Sequence, residues 1–215
     1  MSPILDILVR AAAVAVALAL WFWTQRLIGR KARPAEGIGD RLHDVTEPLH
    51  AWLAAHPKAA DATLILASAF IDLFGLYLIG ATILGPTVRP FAALLMVFAL
   101  RQLCQWLCTL PYPKGQIWRH PGFPSLLVTY GVGNDFFFSG HTAIAVLAAL
   151  ELGRAGPPWI AAAAALIAAL EAAAVIVLRA HYLMDVFAAA LAAWACESAA
   201  GRIAPGIDAW LHRAF

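Results

Sequence analysis

Charge is scarce in this chain. Asp, Glu, Lys and Arg make up 13% of its 215 residues, whereas 62% are hydrophobic and the mean hydropathy is +0.76. A soluble domain is about a quarter charged, so this chain lacks the polar surface to cover itself in water, and lipid must be part of its solvent. The net charge of +2 is too small to argue for a nucleic-acid partner, and none is expected. Cysteine is nearly absent too. Cys104, Cys108 and Cys196 form neither a disulfide framework nor a metal-ligand spacing, and are expected as small buried apolar residues. No small-x-small cleavage site follows the first apolar run, which ends in Trp21, Phe22, Trp23 and basic residues, so it reads as a retained helix. There is no internal repeat.

What is present is a series of apolar runs. A spanning helix needs about 20 mainly apolar residues. The expected spans are Ile4 to about Ile28, about Ala59 to Leu84, about Val88 to Leu110, a fourth from near Phe136 to the break at "GRAGPP", Trp159 to Leu178, and about His181 to Ala200. Between the first two, Leu42, Val45, Leu49, Trp52 and Leu53 fall on one helical face, which suits a helix lying in the interface and interrupted near Pro48. The expectation is an all-α, six-transmembrane-helix bundle with one interfacial amphipathic helix. It divides into 1–35 (first span and basic flank), 36–58 (interfacial segment), 59–200 (core of five spans) and 201–215 (tail).

Polar residues are concentrated in "NDFFFSGHTAI" and "RAHYLMDV". One helix down and one back separate His141 from His181, so both are expected at one membrane face, together with the third span's end at Thr109 to Pro113. Ser139 suits an N-cap, and Gly140 lets backbone approach a ligand. His181 and Asp185 are spaced i, i+4. A carboxylate on Nδ1 would fix the tautomer and leave Nε2 as nucleophile, with His141 as general acid. Arg101, Arg179, Lys114 and Arg119 are candidates to hold phosphate oxygens. Other readings stay open: packing histidines, a His/His/Asp metal site, Ser139 as a nucleophile, a structural Asp72–Arg101 pair, or a transporter using the cluster for protons or head groups. Ionisable groups at membrane depth are costly, which favours function, and metal is not expected, because nothing near completes a ligand set.

These residues resemble the sphingomyelin synthase branch of the type 2 phosphatidic acid phosphatase superfamily. "SGHT" (Ser139 to Thr142) and "HYLMDV" (His181 to Val186) are similar to its third and fourth motifs. Asp135 stands four residues before Ser139, as in that branch, and Arg101 is followed after seven residues by Thr109, Leu110, Pro111, Tyr112 and Pro113, matching its arginine and T-L-P-x-P. The likeness covers roughly residues 60–200. The sibling phosphatases use K-x6-R-P and an arginine six residues before the last histidine; here Lys114 and Arg119 are spaced differently and Val175 takes the other position.

The resemblance implies double displacement without a cofactor. His181 attacks the phosphorus of a glycerophospholipid donor, His141 protonates the departing diacylglycerol, and a ceramide-like alcohol or water accepts the phosphocholine or phosphoethanolamine. With water the site is a phospholipase C-like hydrolase; a lipid phosphate phosphatase is a further alternative. Asp135 and the faces of Phe136, Phe137, Trp118 or Tyr130 can hold a cationic head group, unless the phenylalanines are simply interface anchors. The resemblance also implies a site facing the lumen or periplasm of a multi-pass membrane protein, and the alanine-rich, compact chain suits a bacterial inner membrane. The bias of Arg26, Arg30, Lys31, Arg33, Arg41, Lys58, Lys114, Arg119 and Arg179 to the site's side points to the cytoplasm instead.

Overall fold

Proline and glycine punctuate the apolar runs, and several helices begin or end on them. The computed structural model describes residues 3–30, 38–131 and 136–214. Asp135, with Lys31 and Arg33, lies outside the described residues. Within them the fold is all-α: α1 Pro3–Ile28, α2 Arg41–Ala55, α3 Pro57–Leu84, α4 Arg89–Leu107, α5 Gly140–Ala155, α6 Pro158–Val177 and α7 Leu183–Ala214. Proline occupies the first turn of α3, α4 and α6, where its missing N–H costs nothing. Gly85 and Gly156 close α3 and α5.

Five helices (α1, α3, α4, α6 and α7) are long and apolar enough to cross a bilayer, and the chain is a polytopic membrane protein. The expected fourth span is α5, whose 16 residues reach about 24 Å at the helical rise. That falls short of a hydrocarbon core of about 30 Å, so five helices rather than six meet the length. Helix α5 is instead the centre of the bundle. Ala143, Ala145, Leu147 and Ala148 are fully buried, and α3, α4, α6 and α7 all pack on it. Its small side chains permit that close approach.

Ion pairs lock the end of the bundle away from the histidines. Arg89 of α4 meets Glu151 of α5 at 2.7 Å, and Arg154 of α5 meets Glu197 of α7 at 2.7 Å. The last helix does not stop at Ala200. It continues through Pro205 to Ala214, and Asp208 accepts the Val88 amide at 2.9 Å, capping the start of α4.

Helix α2 runs unbroken through Pro48, contrary to the expected interruption. Val45, Leu49 and Trp52 of its apolar stripe are exposed, whereas His43, His50 and Leu53 are buried. One face of α2 is thus left for lipid and the other docks on the bundle. Of the cysteines, Cys196 is buried as expected, whereas Cys104 is half-buried and Cys108 exposed at the end of α4.

Candidate active site

The site forms where helix ends meet. Ser139 is the N-cap of α5, with its Oγ accepting from the Thr142 amide at 3.3 Å and the Thr142 hydroxyl at 3.1 Å. Its own amide donates to the Asp185 carbonyl at 3.1 Å, so the start of α5 is tied to the start of α7. The first-turn amides of α5, at Gly140 and His141, lie at the positive end of its dipole.

His141, in the first turn of α5, and His181, in the turn before α7, line one cavity of about 70 Å³. Arg101 of α4 lines it too, together with Trp21, Phe98, Tyr112, Trp118 and Phe136. Both histidines are buried. The Trp118 ring meets His141 edge-on at 5.1 Å, and Phe136 meets His181 edge-on at 6.3 Å. Arg101 Nε donates to the Phe138 carbonyl at 2.6 Å. A methyl added at Gly140 would stand 3.5 Å from the guanidinium carbon, so cation and helix N-terminus present adjoining positive charge to one small space. That space suits an anion.

His181 is not helical, since α7 begins at Leu183. The expected pairing with Asp185 survives because the aspartate reaches back from the first turn: Oδ2 lies 3.4 Å from His181 Nδ1 and accepts the Tyr182 amide at 2.9 Å. Asp185 is fully buried. A carboxylate fixed by a backbone amide is well placed to orient an imidazole and to stabilise its cation. At 3.4 Å the two atoms approach closely without a formed hydrogen bond, a looseness common in sites before substrate binds. Tyr182 completes the turn: it donates to the Pro111 carbonyl at 3.2 Å, and burial raises its phenol above the ordinary value, keeping it a donor. The Thr109–Pro113 stretch thereby arrives at the site.

The other basic candidates go elsewhere. Arg179 is buried with φ +56° and turns to α2, donating to the His43 carbonyl at 2.5 Å and the Glu47 carboxylate at 2.6 Å. Lys114 is exposed and shares with Arg179 a recess under α2 lined by Asp40, Asp44 and Glu47. Arg119 pairs with Asp61. None of the three lines the histidine cavity. The Asp72–Arg101 pair is also absent, for Asp72 takes the amides of Leu126 and Leu127, both at 2.8 Å. Among the aromatics, Phe136 and Phe138 are buried rather than interfacial anchors. Tyr130 stands behind Trp118 at 5.1 Å, and Phe137 faces a different hollow, beside Leu183 and Met184. Among the described residues there is no cluster of three metal-ligating side chains.

Sequence reasoning missed the underside of the site. His43 Nε2 donates to the His181 carbonyl at 2.9 Å, and His50 Nδ1 to the Val177 carbonyl at 2.8 Å. Their seven-residue spacing, opposite the apolar stripe of α2, was the available signal.

No solved structure matches this chain. An Arabidopsis thaliana protein named phosphatidylcholine:diacylglycerol cholinephosphotransferase 1 is 25% identical over 158 residues, covering 74% of this chain and 51% of that protein. The chain therefore spans about half the length of that relative. The model of the family described as AtPDCT1/2 matches residues 40–202, from the N-cap of α2 to well inside α7. With more than half of its length matched, including every described residue of the two-histidine cavity except Trp21, the chain belongs to the AtPDCT1/2 family.

Proposed function

We propose that this chain is a membrane cholinephosphotransferase that moves phosphocholine between phosphatidylcholine and diacylglycerol through a phosphohistidine on His181. The observation that carries the reading is the meeting of His141 and His181 in one cavity, with Asp185 behind His181 and Arg101 at the α5 N-terminus. The relative's name supplies the lipid pair.

The chemistry follows from the roles. His181 Nε2 attacks phosphorus as the bond to the glyceryl oxygen breaks, and the imidazolium of His141 gives its proton to that oxygen, releasing diacylglycerol. Asp185 stabilises the positive charge that His181 acquires. Arg101 and the α5 amides hold the non-bridging phosphate oxygens, whose charge grows in the transition state. His141, now neutral, takes the hydroxyl proton of an incoming diacylglycerol, whose oxygen attacks phosphorus and displaces His181. One phosphatidylcholine and one diacylglycerol enter, and one of each leaves with the backbones exchanged. Trp118, Phe136 and the neighbouring rings offer π-faces to the trimethylammonium group.

A ceramide or another lipid alcohol fits the same second step, so the acceptor is decided by competition. In proteoliposomes, phosphatidylcholine labelled in the head group is offered diacylglycerol, ceramide or no acceptor. Label in a new phosphatidylcholine species supports the reading. Label in a ceramide product would move the chain to a synthase, and free phosphocholine alone would make it a hydrolase.

A further inference from the structure

The turn that carries His181 is held from outside the bundle, by α2. Residues 177–183 are hydrogen-bonded to that helix or its N-cap at four points. His50 grips the Val177 carbonyl, His43 the His181 carbonyl, Asp40 the Leu183 amide, and Arg179 reaches across to Glu47 and the His43 carbonyl. The loop after α4 is drawn into the same grip: Ile117 N donates to the Leu178 carbonyl at 2.8 Å. Gly115 has φ +77°, and a Cβ there would fall 2.9 Å from His50 Nε2, so that loop passes as closely to α2 as a backbone can.

We infer that α2 is a positioning element for the proposed transfer, and that His43 is the positioning residue which sets the main chain of His181, and so its imidazole, against His141 and Asp185. This rests on the proposed role of His181. The left-handed Arg179 is the geometric reason a clamp is needed: a non-glycine residue at positive φ is disfavoured and persists only where its surroundings over-determine it. The buried Arg179 side chain is part of that surrounding. Because the opposite face of α2 carries exposed Val45, Leu49 and Trp52, the residue that sets His181 belongs to a helix seated on lipid. His43 touches no reacting atom, and its effect passes through one carbonyl.

The chemistry of that bond makes the test specific. The contact is from Nε2, which a glutamine amide nitrogen can imitate in position, whereas an asparagine amide imitates Nδ1. His43→Ala is expected to lower kcat about 10- to 100-fold, the effect of a small misplacement of a reacting group, with KM for phosphatidylcholine little changed. His43→Gln restores most of kcat and His43→Asn does not. At His50, where Nδ1 donates, the order of rescue reverses. A second readout needs no turnover: carbethoxylation of His181 in the purified full chain, followed by peptide mass spectrometry, changes rate in His43→Ala and His43→Asn but not in His43→Gln. Wild-type kcat in His43→Ala, or equal rescue by Gln and Asn with equal melting temperatures, overturns the inference. Transfer that persists in His181→Ala overturns the proposed function instead, and the labelling order at His181 still judges the clamp.

Discussion

Asp185→Asn isolates one quantity, the carboxylate charge behind His181. The substitution keeps shape, and an amide oxygen placed where Oδ2 lies still accepts the Tyr182 amide, now bonded at 2.9 Å. It also still faces Nδ1 at the present 3.4 Å. What is lost is the pairing of a carboxylate with the cationic imidazole formed when His181 holds phosphorus. Two charges at that distance in an effective dielectric of about 20 attract by about 5 kcal/mol, which sets a ceiling. The difference between a charged and a neutral hydrogen bond, about 1–2 kcal/mol, sets the floor. At about 1.4 kcal/mol per decade, kcat should fall between about 10-fold and about 4 × 10³-fold, with KM and melting temperature nearly unchanged. The assay is initial-rate transfer of labelled choline phosphate in proteoliposomes, beside a thermal melt of the same preparation. A variant within twofold of wild type in kcat would refute the orienting carboxylate.

Further outcomes follow from particular contacts. Trp118→Leu should raise KM for phosphatidylcholine more than for phosphatidylethanolamine, since the ring face favours a bulky quaternary ammonium by about 0.5–2 kcal/mol; equal changes would remove the ring from head-group selection. Gly140→Ala should leave the melting temperature in place, because the added methyl meets Arg101 at ordinary contact distance, while occupying anion space and raising KM. Arg179→Ala should act on stability, by about 1–3 kcal/mol for hydrogen bonds to a buried cation, and not on KM; a KM effect with no loss of stability would return Arg179 to phosphate binding. Burial, chiefly, lowers the His43 pKa from 6.5, so its neutral form is favoured in the fold. That contribution is present above pH 6.5 and is lost as pH falls through the folded value, and His43→Gln should flatten the acid side of the melting curve. Cys108, exposed at the site's end of α4, should react from the non-cytoplasmic side with a membrane-impermeant maleimide if the site faces that way, as the resemblance implies.

The sequence carried the lipid environment, the order of the helices and the convergence of His141 with His181, because hydropathy and the alternation of spans are written in one dimension. The length of α5 was less legible, because burial on all sides and burial in lipid look alike in composition; a 16-residue helix enclosed by four others gives the same apolar run as a longer span. Arg179 was assigned to phosphate because its position beside His181 is visible, whereas the positive φ that turns it towards Glu47 is not. The same limit hid the other bonds beneath the turn. Apolar periodicity marked the lipid face of α2; the spacing of His43 and His50 placed them together on another face, but not the carbonyls they grip. The neighbourhood of Arg101 and Gly140 is likewise tertiary, set by how α4 crosses the start of α5.

The central claim is that the head group passes through His181, and the direct measurement is to trap it there. Purified protein is mixed with phosphatidylcholine without an acceptor, quenched at neutral to alkaline pH to preserve a phosphorus–nitrogen bond, digested, and mapped by mass spectrometry. The account predicts phosphocholine mass on the peptide containing His181, absent in His181→Ala and discharged to new phosphatidylcholine when diacylglycerol is added. An adduct on another residue, or label transfer at the wild-type rate with no adduct at any time, would contradict it.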